Sequence, residues 1–118
     1  MMEQDIFYRV YGMSLKTKKN LLEDAKKLSF EWWVDILDCS KSFARKKINM
    51  SFKEIMSKLS QKSHFVVINR KERGQEKEYG EIGFSTMTFQ PEHFLWVYIS
   101  KKDLDKLVSE YKLDILKT

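Results

Sequence analysis

The sequence predicts an α+β fold: an N-terminal strand, two to three helices, a three-stranded antiparallel meander and a C-terminal helix, with the helices packed on a mostly antiparallel sheet. Three observations carry that expectation. Apolar residues recur at helical spacing between residues 14 and 62, β-branched and aromatic runs broken by turn residues fill 64–100, and helical spacing returns after Ser100.

Each element has its own reason. From Asp5 to Tyr11, Ile6, Tyr8 and Val10 alternate with Phe7, Arg9 and Tyr11 ahead of Gly12, the period of a strand. Within 14–28, Leu21, Leu22, Ala25 and Leu28 form a helical stripe with most lysines off it. The stretch 30–40 is rich in strand formers, yet Phe30, Trp33, Val34 and Leu37 fall at i, i+3, i+4, i+7. Glu31, Asp35 and Asp38 share the opposite side, so a second helix capped by Ser29 is expected. On it Trp32 and Trp33 would be about 100° apart, leaving one at the core boundary.

Ser51 with Glu54 three residues on reads as a capping box, and Phe52, Ile55, Met56 and Leu59 continue a third helix. Strands follow from His64, from about Lys77 to Thr88, and from His93 to Ser100, with Gly74 and Pro91 at the breaks. The last strand is apolar on both faces, which is the pattern of an interior strand. Ser100 and Asp103 then open a final helix bearing Leu104, Leu107, Val108 and Tyr111 on one side.

A chain of 118 residues and 14.2 kDa supports one core with about two thirds of its surface buried, so residues 1–118 are expected to form a single domain. Cys39 is the only cysteine, which excludes an intramolecular disulfide and a cysteine-ligated metal site and suits a reducing compartment. The N-terminus lacks a basic region, and the longest apolar run, 94–99, is far too short for a membrane span. A cytoplasmic location without a membrane partner is the expectation.

The net charge of +5 is unevenly spread, with +6 in residues 41–63 and −3 in 30–40. Segment 41–62 holds Lys41, Arg45, Lys46, Lys47, Lys53, Lys58 and Lys62 against Glu54. Such a cluster attracts an acidic macromolecule. Without interleaved aromatics it carries no sequence readout, so a protein partner is expected ahead of nucleic acid. The plainer reading is a solvated surface, partly neutralised by the acidic stretch before it.

Phe94, Trp96 and Tyr98 form an aromatic row. It is expected beneath a helix as core, the alternative being an exposed platform that stacks bases. Trp32, Trp33 and Trp96 are the candidate aromatic anchors for a partner.

Catalytic signals are sparse. His64 and His93 stand at strand starts, and Cys39 has no local partner, so an enzyme using Cys39 or His64 and His93 ranks third. Glu31, Asp35 and Asp38 are the nearest thing to a metal cluster and read better as a solvated stripe. Gly80-Glu81-Ile82-Gly83 lies inside a strand, not at a helix opening, which rules out a phosphate loop; no cofactor motif is present. The expected function is therefore a small non-catalytic binding protein, an inhibitor or accessory of phage or mobile-element type acting on a nucleic-acid-handling enzyme. Its basic segment would dock an acidic surface, and direct nucleic-acid binding by the same segment is the alternative.

Overall fold

The computed structural model of the chain describes residues 5–37, 44–45, 50–71, 77–86 and 92–116. The strands are β1 (Ile6–Phe7), β2 (Glu31–Leu37), β3 (Ala44–Arg45), β4 (Phe65–Lys71), β5 (Glu78–Ser85) and β6 (Glu92–Ser100). The helices are α1 (Leu15–Leu28), α2 (Phe52–Met56) and α3 (Lys101–Glu110). All strands join one antiparallel sheet in the order β1-β4-β5-β6-β2-β3, so the expected α+β architecture and its central meander are present.

Serine opens each described helix. The hydroxyls of Ser14, Ser51 and Ser100 accept from the amides of Thr17, Glu54 and Asp103 at 3.2, 3.1 and 3.1 Å. Each satisfies one of the amides that a helix start leaves without a partner. Ser100 is also the last residue of β6, so the chain passes from strand to helix with no connecting loop.

The expectation of a helix over 30–40 is overturned. Residues Glu31–Leu37 form β2, paired along its whole length with β6, from Glu31 opposite Tyr98 to Leu37 opposite Glu92. The same residues carry a period of two, Trp32 and Val34 against Glu31, Trp33 and Asp35. Their aromatic and β-branched character is suited to a pleated ladder once a long partner strand is available. Phe30, which the helical stripe would have buried, is 61% exposed.

Two other elements are shorter than their patterns. The N-terminal strand stops at Phe7, because the chain after Tyr8 leaves β4: Arg9 N donates to the Asp114 carbonyl at 2.7 Å, and Gly12 turns the backbone at φ +84°. In α2 the helix ends at Met56, although Leu59 beyond it is still buried. Among the described residues of segment 41–62, Ala44–Arg45 is a strand and α2 has five residues.

Helices α1 and α3 pack on β5 and β6, and Ile55 and Leu59 join the same core. Register places Phe65, Val67, Ile82, Phe84, Val34, Leu95, Val97 and Ile99 on this covered side. Gly80 belongs there too: a Cβ on it would lie 2.8 Å from Ile99 Cγ1 and 2.9 Å from Leu104 Cβ, so glycine is what lets α3 settle on β5. No described helix is long and apolar enough to cross a membrane.

Candidate functional site

Alternation along each strand fixes what the opposite face of the sheet carries. Phe94, Trp96 and Tyr98 of β6, Tyr79, Glu81, Gly83 and Ser85 of β5, and Glu31, Trp33 and Asp35 of β2 share it. No described helix packs on this side. The expectation that the aromatic row lies beneath a helix as core is thus corrected. The helices take Leu95, Val97 and Ile99, and the three rings stay half-buried on the other face.

The rings are ordered by one another. Trp33 stacks on Tyr98 with centroids 3.6 Å apart, and Tyr79 stacks on the same ring at 5.1 Å. Phe94 and Trp96 are near-parallel at 5.7 Å, while Phe30 tilts against Tyr98 at 6.1 Å. Such cross-strand and diagonal pairs stabilise a sheet face. Gly83 lies under this array, where a Cβ would come 2.5 Å from Trp96 Cε3 and 2.3 Å from the Leu95 carbonyl oxygen. Any side chain there would lift the indole off the sheet.

Charge on this face is mainly negative. Glu31 is exposed and Asp35 half-buried, while the carboxylate of Glu81, 5% exposed by residue, receives Arg70 Nε at 2.8 Å. Arg70 Nη1 also binds Asp5 at 2.7 Å, and Asp5 accepts the Lys71 amide at 3.1 Å. Burial acts against the charged guanidinium most strongly, but bonds and attraction from Glu81 and Asp5 outweigh it, so Arg70 holds its proton more firmly than usual.

The candidate anchors separate. Trp33 and Trp96 lie half-buried on the aromatic face, while Trp32 points the other way and meets Phe52 edge-on at 5.7 Å against the core. In a strand, neighbours diverge by a half-turn, so the two adjacent tryptophans serve opposite sides of the sheet.

The basic segment is only partly visible. Lys53, Lys58 and Lys62 are exposed; the backbone of Arg45 pairs with Asp35; Lys41, Lys46 and Lys47 lie outside the described residues. Cys39 and Asp38 also lie outside them. Among the described residues, no three His, Cys, Asp or Glu side chains come together as a metal site. His64 and His93 flank the end of β5, where Ser85 N donates to His64 O and Thr86 N to His93 O, both at 2.9 Å. Alternation turns the two imidazoles to opposite faces, so they form no dyad. Burial, and then the charge of Lys58, lower the proton affinity of His93 below the ordinary value.

Comparison of the chain with protein-family models, with curated proteins and with solved structures finds no match in any of the three. The class of molecule is therefore defined by its own geometry: a small α+β protein, helices on one side of a six-stranded antiparallel sheet and an aromatic array on the other.

Proposed function

We propose that this chain is a non-catalytic binding protein that acts through protein–protein contact, with the aromatic face of the sheet as its docking surface and Trp33, Trp96 and Tyr98 as anchors. The observation that carries this reading is the stacked aromatic array on the side of the sheet where no described helix packs. Tryptophan and tyrosine are the residues that most often dominate protein interfaces, and pre-stacked rings have little conformational freedom left to lose on binding.

Two features favour a protein over a nucleic acid at this surface. Faces of Trp33, Tyr79, Phe94, Trp96 and Tyr98 are already stacked on neighbouring rings, which leaves fewer faces for the base stacking a nucleic acid would need. The exposed Glu31 also places negative charge where phosphates would arrive. An inhibitor or accessory role toward a nucleic-acid-handling enzyme fits a protein that binds without chemistry of its own.

A second reading is favoured by the exposure of Lys53, Lys58 and Lys62, in which segment 41–62 meets an acidic protein surface or nucleic-acid phosphates. One experiment separates the two. Wild-type protein, a Trp33→Ala/Trp96→Ala variant and a Lys53→Ala/Lys58→Ala/Lys62→Ala variant are used as bait, and bound protein and nucleic acid are both identified. The aromatic variant is expected to lose the bound protein while the lysine variant keeps it. Loss confined to the lysine variant, or nucleic acid released by salt as the bound species, would establish the second reading instead.

A further inference from the structure

The edge of the sheet beside β4 is only half occupied. Ser85 N donates to the His64 carbonyl at 2.9 Å, so His64 turns its peptide groups toward β5, and strand alternation turns those of Phe65 and Val67 outward. The Val67 carbonyl is met by Tyr8 N at 2.9 Å, after which the N-terminal chain departs toward residues 114–116. Among the described residues, the outward N–H and C=O of Phe65 have no backbone partner.

What opens beside them is a groove of about 500 Å³, lined in part by Phe7, Val10, Tyr11, Phe65, Val66 and Leu116. Phe7 is 42% and Leu116 40% exposed, so its walls offer apolar surface. Lys18 of α1 also lines it. This residue is only 6% exposed, its ammonium lies 5.9 Å from the centre of the Phe65 ring, and it makes no ion pair among the described residues. Among the described residues Lys18 thus brings a cation to the groove wall beside Phe65 with no carboxylate opposite it.

We infer that this groove accepts an extended acidic peptide as an added strand beside Phe65. A residue paired with Phe65 shares its side of the sheet, where Lys18 waits, so that residue carries a carboxylate. Its two neighbours face the other side, next to Val66 and Phe7, and are apolar. Peptide is the occupant because both an outward donor and an outward acceptor are on offer; a phosphate group answers the lysine and the N–H but leaves the carbonyl unmet. The groove is at the sheet edge and not on the aromatic face, so this inference does not depend on the docking surface proposed above.

The test uses the whole protein and four end-blocked pentapeptides, Thr-X-Glu-X-Thr with X as Val, Ile, Leu or Phe, titrated to millimolar concentration while backbone amide resonances are followed. At least one peptide is expected to give saturable shifts at Phe65 and Val67 and to slow hydrogen exchange at Phe65. Replacing its Glu by Gln, or Lys18→Gln in the protein, is expected to weaken binding about tenfold, the size of one charge-assisted hydrogen bond. The Gln peptide tests the charge on unaltered protein, so the result stands even where the Lys18 variant folds poorly. Absence of shifts at Phe65 and Val67 with all four peptides, equal affinity for Glu and Gln peptides, or shifts centred on Trp33 and Trp96 would each overturn it.

Discussion

The two faces of β6 are built from equally apolar triplets and come to opposite ends. Leu95, Val97 and Ile99 are fully buried against α1 and α3, whereas Phe94, Trp96 and Tyr98 keep part of their surface in water. Shape separates them. Branched aliphatic side chains interdigitate with a helix stripe at close-packed density, while flat rings stack on one another, and the indole N–H of Trp96 and hydroxyl of Tyr98 favour a wet boundary. Hydrophobicity alone does not say which face a helix will cover.

The largest expected effect sets one face against the other. Leu95→Ala should cost about 3 kcal/mol of unfolding free energy, because the deletion leaves a cavity beneath the helices. Tyr98→Ala, which removes a larger side chain, should cost only about 1.5 kcal/mol, mostly its stacking with Trp33 and Tyr79. Urea unfolding of the two variants decides the matter, and equal losses would mean that the aromatic face is as tightly covered as the core. Gly83→Ala sharpens the contrast from the open side. A single methyl group there should cost about 2 kcal/mol, since it meets Trp96 and the Leu95 carbonyl. Its near-ultraviolet circular dichroism should also change as the indole is displaced.

The smallest effect lies on the covered side, at the junction of α1 with the end of α3. Tyr111 donates its hydroxyl to Asp24 at 2.6 Å, and burial, followed by this bond and the nearby carboxylates, raises its proton affinity well above that of a free tyrosine. The folded state thus keeps the phenol proton after the unfolded chain would lose it. The resulting stability is fully present below the ordinary tyrosine pKa of about 10 and declines as pH rises beyond it. Tyr111→Phe should cost about 1 kcal/mol at pH 7 and flatten the alkaline limb of a stability-against-pH curve.

Local chemistry was the most legible part of the sequence. Ser51 and Ser100 announce their helices because a cap is a transaction between residues three apart, and the meander of β4, β5 and β6 is written in runs and turns. What misled was Glu31–Leu37, where one set of residues satisfies both a helical stripe and a strand alternation. Its choice depends on β6, about sixty positions later in the chain and out of reach of any local window. The aromatic row was visible as a row, and Trp33 and Trp96 as candidate anchors. Their shared face could not be seen until β2 was known to be a strand. The groove beside Phe65 left no signal at all, because it exists only where β1 stops short and Lys18 arrives from another element.

The contact between the chain's opposite regions has a consequence in time. Leu116 N donates to the Phe7 carbonyl at 2.8 Å and Tyr8 bridges to Ile115, so the first strand gains its outer neighbour only from the last residues described. During synthesis β1 must wait for β4, and its own outer edge stays open until residues 114–116 emerge. Pairings so distant along the chain are slow to find, and that edge is the last part of the sheet to close.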